Sequence, residues 1–436
     1  MQFRFLPGIF IALLSPSIVA QMNMPSGSSM DNMPSHHQTM DMNVDRPTTN
    51  LADNLLRHTT SGTDAEPDST TPPMLMQMKG NWMLMLHGQG AIVEQQQTGP
   101  RAHDKFFSVN WFMPMAQRNF SRSELTLRAM LSLEPATISG RYYPELFQQG
   151  ETAFGKPIID GQHPHNLFME LAALYDIKIS PQTLLNLYIA PVGDPSLGPV
   201  AFPHRASAGD NPLAPLGHHL EDSTHIAYEV VTTGVTIHKL RLEGSAFHGR
   251  EPDENRWHIE VGGLDSWSGR LTVAPFKDLT GQYSIGHLHS PEQLHPQEDV
   301  LRQTASVAYH HAWPATTLDG LVLWGRNHTI GTPTNANGYL IEGQALLHSH
   351  QAVWTRIENV DRTTDLLGAS APPEETVIGR VQAYTGGYAY RFLHRSWGTA
   401  DVGAQATLYD TPTSLRSLYG DHPTGVAAIL KFQIGK

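Results

Sequence analysis

The chain has no cysteine, which removes disulfides, thiolate metal sites, a cysteine nucleophile and lipoprotein acylation from its chemistry. Charge is scarce, at 16% of residues against 40% hydrophobic, so the chain is neither a disordered tail nor an oily helical membrane protein. What charge there is leans acidic, 29 Lys and Arg against 41 Asp and Glu for a formal −12, which argues against a nucleic-acid partner. After the opening segment no apolar run is long enough to span a bilayer as a helix. A Gly-rich phosphate loop, HExxH, GxSxG and a zinc-type cysteine set are also missing. Single residues such as Ser207, Ser223, His204 and Asp210 are convened by no motif, and no enzyme is expected.

What is present begins with MQFRFLPGIFIALLSPSIVAQ, where Arg4 precedes an apolar stretch from Phe5 to Leu14 and small residues surround Ala20. This reads as a secretory signal peptide over residues 1–20. A membrane anchor fits less well, because the run is short and broken by Pro7 and Pro16. Export without cysteine or lipid suits a Gram-negative periplasm or outer membrane. Residues 21–73 are Ser, Thr, Asp, Asn, Pro and Met with too little apolar surface to offset chain ordering. They are expected to form a disordered periplasmic arm.

From Met74 onward, segments of about ten residues alternate apolar with polar, the period of a strand with two unlike faces. In SELTLRAMLSLEP, Leu125, Leu127, Ala129, Leu131 and Leu133 oppose Glu124, Thr126, Arg128, Ser132 and Glu134. KLRLEGSAF, GYLIEGQALLH and GVAAILKFQIGK follow the same rule. Short links, as at Asn119–Arg122, Lys277–Asp278 and His394–Ser396, alternate with long ones, as at Pro135–His165, Pro191–Thr224 and Asn359–Thr376. Tight turns then share one end and long loops the other, as in outer-membrane barrels.

The pattern predicts an all-β fold, a closed antiparallel transmembrane β-barrel of about 16 strands (range 14–18), with short periplasmic turns and long extracellular loops. Strands are expected to start near Asn81, Lys105, Ser123, Leu167, Thr183, Thr224, Lys239, Trp267, Leu279, Arg302, Leu318, Gly338, Gln351, Ile378, Trp397 and Gly425. Arg128, Glu124, Arg241, Glu243, Arg270 and Glu342 would face a watery lumen, where they need no partner. Trp82, Trp111, Tyr188, Trp267, Trp313, Trp354 and Tyr409, near strand ends, suit aromatic girdles. The segment HPHNLFMELAALYDIKIS also matches a helical turn from Asn166 to Tyr175. A soluble β-sandwich or propeller is the competing reading of so many short strands.

Thioether sulfur favours Cu(I), and imidazole accepts Cu(I) or Cu(II). In the arm this singles out Met22, Met24, Met30, Met33, His36, His37, Met40 and Met42 as candidate ligands for a copper ion. All 16 methionines lie at or before Met169, and Met74, Met76 and Met78 extend the run. Met83 and Met85 share a strand face with His87, and Met113 and Met115 repeat the spacing. Turned inward they would carry sulfur into the lumen. As flexible fillers they are expected to make lipid or packing contacts instead.

Among 24 histidines, three pairs have the spacing that puts two imidazoles on one side of an extended chain: His163/His165, His287/His289 and His348/His350. GHHLEDSTH gathers His218, His219, Glu221, Asp222 and His225 in one loop. His163, His165, His218, His219, His287 and His289 are therefore candidate ligands for Zn(II), Cu(II) or Ni(II).

The export signal, the alternating strands, the turn-and-loop rhythm and the strand-like C-terminus resemble a Gram-negative outer-membrane β-barrel of porin type over Met74–Lys436. The Met/His arm is similar to the N-terminal arms of outer-membrane copper-resistance proteins. The chain departs from the usual barrel in ending FQIGK, with Phe432 four places short of the terminus. The resemblance implies outer-membrane lipid as surroundings, homo-oligomeric assembly, and a porin-like channel handling metal ions in copper tolerance or export. The competing readings are a non-conducting barrel serving as a binding or adhesion surface, and a soluble periplasmic metal-binding β-protein.

Overall fold

The computed structural model describes residues 50–368 and 375–435. The expected signal peptide and the arm ligands Met22, Met24, Met30, Met33, His36, His37, Met40 and Met42 lie outside the described residues.

The first strands are β1 (Leu75–Lys79), β2 (Trp82–Gln97), β3 (Lys105–Asn119), β4 (Ser123–Leu131), β5 (Tyr143–Ala153) and β6 (Lys156–Gln162). There follow β7 (Phe168–Ser180), β8 (Thr183–Gly193), β9 (Ala227–Ile237), β10 (Leu240–His248), β11 (Ser266–Phe276) and β12 (Leu279–Leu288). The last are β13 (Val300–Trp313), β14 (Thr316–Thr329), β15 (Asn335–Leu347), β16 (Gln351–Thr363), β17 (Val377–Arg395), β18 (Gly398–Asp410) and β19 (Thr424–Ile434). Among the described residues, β2–β4 and β7–β19 pair antiparallel in chain order, and β19 pairs back onto β2, closing a barrel of 16 strands. Every expected strand start falls within three residues of the observed one. In HPHNLFMELAALYDIKIS the residues from Phe168 to Ser180 form strand β7 and not helix, pairing antiparallel with β4 and β8.

Two strands stand apart from the wall. β5 and β6 form their own hairpin inside the long connection from β4 to β7. β1 pairs only with the first part of β2, Leu75 opposite Leu86, while β19 takes the rest of that edge from Gly88 to Gln97. The two segments meet end to end: a Cβ on Gly435, at φ +86°, would lie 2.2 Å from the Met74 nitrogen.

The wall is inverted relative to a soluble sheet. On β4, Glu124, Thr126, Arg128 and Met130 are buried, while Leu127 is 46% exposed. Leu185, Leu187, Ile189, Leu271, Val322, Ile341 and Val426 make the same outward apolar band on other strands, a face that lipid covers. Among the described residues no helix is long and apolar enough to cross a membrane; the strands supply the span. The aromatic girdle is only partly as expected. Trp267 and Trp313 point outward, but Trp111, Tyr188, Trp354 and Tyr409 turn inward and are buried. Met83, Met85, Met113, Met115 and Met130 also face in and are buried.

The lumen is filled by chain. Residues 50–73, expected in the disordered arm, instead run through it as a strap whose apolar helix Leu51–Leu55 packs on Leu184 and Ala274. Asn50 caps that helix by accepting from the Asp53 amide at 3.0 Å. Low apolar content did not prevent ordering, because the barrel wall supplies the partners. Arg128 donates to the carbonyls of His58, Thr60 and Gly62 at 3.2, 2.7 and 2.5 Å. Ser61 donates to Asp194 at 2.8 Å, and Asp64 pairs with Arg270.

Candidate metal centre

The charges predicted to need no partner are in fact paired. Arg128 meets Glu170 at 2.7 Å, and Arg241 meets Glu243 at 2.9 Å. Glu342 receives Arg205 at 2.6 Å and Arg356 at 2.9 Å. The reason is that the interior is occupied by protein, so each buried charge requires compensation. Arg205 belongs to the connection over residues 194–226, which folds inward and carries Ser207 onto Glu342 at 2.8 Å.

Two inward segments converge at the long-loop end of the barrel. The β4–β7 connection brings His163 and His165. The β8–β9 connection brings His218 and His219 on the one-turn helix His218–Glu221, and His225 after it. His165 and His225 ring centres are 5.4 Å apart, His218 and His225 5.3 Å, and His218 and His219 5.2 Å. One ring nitrogen from each of His163, His218 and His219 lies within 4.8 Å of the others. All five side chains are buried.

The second ring nitrogen explains their orientation. Nδ1 of His165 bonds the Glu134 carboxylate at 2.9 Å, and Nδ1 of His218 bonds Asp222 at 2.7 Å. Nδ1 of His225 bonds the Asp222 carbonyl at 2.8 Å, and Nδ1 of His163 the Pro164 carbonyl at 3.2 Å. The Nε2 atoms of His165, His218 and His225 are buried with no hydrogen-bond partner among the described residues. Fixing Nδ1 on a carboxylate or carbonyl while Nε2 stays free is how proteins present imidazole to a metal. His163, His218 and His219, with ring nitrogens within 4.8 Å of one another, are a donor set suited to a borderline divalent ion or copper. Glu151 approaches His163 Nε2 at 3.1 Å and Glu251 approaches His219 at 3.5 Å, adding oxygen donors.

Burial disfavours the protonated form of His163, His218 and His225. Burial, then the neighbouring imidazoles of His219 and His218, hold His163 well below its ordinary value. Burial, then His218, pushes His225 down to about 3. Burial lowers His218 too, against the opposing pull of Asp222. Burial alone would raise Glu251, but His219, Arg302 and Ser223 outweigh it and bring the carboxyl down to about 2. A lowered imidazole favours the neutral, metal-binding form, which His163, His218 and His225 share.

At the short-turn end the lumen opens into a vestibule of about 260 Å³ bounded by the strap, His87, Trp111, His204 and Arg205. Phe202, two residues before His204, lies 5.6 Å from His165 and 5.3 Å from His218 between ring centres, so one loop reaches both the vestibule and the five-histidine centre.

The structure thus brings together His163, His165, His218 and His219, and leaves the other predicted pair apart. His287 and His289 both reach Asp299, at 3.2 and 2.8 Å, on a partly exposed edge. The sequence grouped His225 with its loop, but Glu134, Glu151 and Glu251 went unrecognised: the first two lie in the β4–β7 connection and the third between β10 and β11, and no local spacing announces them.

No family model matches the chain, and no curated protein does. Among solved structures it is similar to OmpF of Salmonella typhi, in a complex with daunomycin, at 9% identity and TM-score 0.50, over 82% of this chain and 100% of that one. It is also similar to the anion-selective porin from Comamonas acidovorans, at 9% identity and TM-score 0.49, over 80% and 99%. OprB of Pseudomonas putida matches at 10% identity and TM-score 0.47, over 82% and 94%. The likeness to OmpF is one of fold, and the class it defines is the closed, porin-type barrel of outer membranes.

Proposed function

We propose that the protein is an outer-membrane conduit for metal ions, copper foremost, with the five-histidine centre as an intermediate stop. The observation that carries this is the set of buried, partnerless Nε2 atoms on His165, His218 and His225, each with its Nδ1 fixed by a carboxylate or carbonyl. Short turns lie on the periplasmic side of such barrels, so the vestibule faces the periplasm. There Asp53 of the strap meets Lys178, near the β7–β8 turn, at 2.6 Å, and in the sequence the Met/His arm precedes the strap. Ions gathered by Met22–Met42 would enter beside His87 and His204 and pass to the loop side, the direction of export and copper tolerance. Lipid would cover the outward apolar band, and homo-oligomeric assembly belongs to the same proposal.

The test is reconstitution of the full chain in liposomes with a trapped metal-sensitive dye. Copper flux through the wild type, lost in His163→Ala/His218→Ala, is the expected result. Equal flux through both removes the centre from the route. A second reading, a barrel that stores metal without passing it, is favoured by the strap filling the lumen; tight binding with no flux in either protein selects it.

A further inference from the structure

The five-histidine centre leaves the methionines unexplained, and they are not spread at random over the inner wall. On β2 and β3, His87 is the direct cross-strand partner of Met113. On β3 and β4, Phe112 pairs with Leu131 and Met115 with Arg128. In that register Met113 lies opposite Met130. His87, Met113 and Met130 therefore occupy neighbouring inward positions on three consecutive strands, and all three are buried. Cross-strand neighbours of this kind bring side chains to about 4.5–5.5 Å at Cβ.

The loop over residues 194–226 lays His204 on this row. Its Nε2 sits 2.9 Å from the Met130 sulfur, and its ring centre is 5.5 Å from that of His87. Two nitrogens remain unused: His87 Nε2, in a side chain only 5% exposed, and His204 Nδ1 have no hydrogen-bond partner among the described residues. Trp111 closes the group, 4.1 Å from His204 and 5.0 Å from His87 between ring centres. Both imidazoles and Trp111 line the vestibule, so an ion arriving from the short-turn end meets this group before the five-histidine centre.

We propose that His87, Met113, Met130 and His204 form a separate site for a soft monovalent cation, Cu(I) or Ag(I). Thioether and neutral imidazole donors with no carboxylate among them select a soft, singly charged ion over Zn(II), Ca(II) or Mg(II). The aromatic face of Trp111 adds attraction for a cation held against it. The five-histidine centre, with Glu134, Glu151 and Glu251 around it, instead suits a divalent ion. The two sites thus grade from soft to harder donors along the lumen. The proposal rests on the conduit reading for its route, but its test reads binding alone, so loss of flux with this binding intact would overturn only the conduit.

The experiment titrates the full chain in detergent, without oxygen, with Cu(I) against a chromogenic Cu(I) chelator, and separately with Ag(I) while following tryptophan fluorescence. His87→Gln/Met130→Leu is expected to hold one fewer tightly bound Cu(I) per chain while binding Zn(II) as the wild type does. Retained Zn(II) binding shows that the variant has folded. Should that variant not fold, the milder Trp111→Phe carries the test: Ag(I) quenching present in the wild type is expected to vanish with the indole. Unchanged Cu(I) stoichiometry in the folded double variant, or undiminished Ag(I) quenching in Trp111→Phe, overturns the site and leaves the Met130–His204 contact as packing.

Discussion

Arg128 on β4 and Glu170 on β7 form a two-point ion pair, 2.7 and 2.8 Å long, and the same guanidinium grips three carbonyls of the luminal strap. The wall and the obstruction are therefore one hydrogen-bonded unit. Arg128→Ala would strand Glu170 as a lone buried charge, a loss of about 3–5 kcal/mol for a pair of this kind. The expected outcome is a strap that leaves the lumen more often, read as a rise in open-channel conductance across planar bilayers. Conductance identical to wild type would separate the strap from the permeation barrier.

Gly62 provides a gentler test of the same contact. Its φ of +54° lies in the left-handed region, and a Cβ there would sit 2.7 Å from the Asp194 carbonyl oxygen. Gly62→Ala should loosen the strap while leaving every wall residue in place. Faster hydrogen exchange at Ser61–Asp64, with unchanged exchange in β4 and β7, is the predicted signature.

Metal binding at the five-histidine centre should resist acid. Binding requires neutral imidazole, and a solvated histidine loses that form below about pH 6.5. His163 and His218 are depressed and His225 is down to about 3, so acid protonates these rings less readily than solvated ones. Zn(II) affinity measured by calorimetry is expected to change little between pH 7 and 5. A fall matching that of a solvated histidine peptide would mean that the rings are wet.

The same shifts bear on stability. A histidine whose folded pKa lies below its unfolded value makes the unfolded chain the stronger proton binder, so stability declines as pH falls from about 6.5 through the folded values. His163→Gln/His225→Gln should flatten that acid limb of the unfolding profile, whereas substituting His422, which is largely exposed, should leave it as it is.

The outward band can be probed at Val322, 56% exposed near the middle of β14. Val322→Arg is expected to destabilise the folded barrel in lipid by about 2–4 kcal/mol, as for a charge at the bilayer midplane. A similar cost in detergent-free buffer alone would contradict a lipid-facing wall.

The barrel was legible because its pattern is strictly local. Leu125 to Leu133 alternate with Glu124 to Glu134, and a period of two with a charged inner face survives without any knowledge of neighbours. The strap was not legible: residues 50–73 are poor in apolar side chains, and their order comes from Arg128, Glu170 and Asp194, which lie far along the chain. The inward turn of Trp111 and Tyr188 was hidden for a similar reason, since an aromatic near a strand end satisfies either face until the luminal loops are known. The histidines of the candidate metal centre could be read from His163/His165 and the GHHLEDSTH loop. The carboxylates that orient it could not, because Glu134, Glu151 and Glu251 reach it by tertiary contact alone.

The junction at β2 has a mechanical side. Gly435 abuts Met74 where β19 stops and β1 begins, so the cylinder is zipped shut by two stretches of chain from opposite ends of the sequence, one of which is the tether of the strap. Tension on the strap is thereby delivered to the zip, and whatever draws the strap out on the periplasmic side pulls at the closing seam of the cylinder as well.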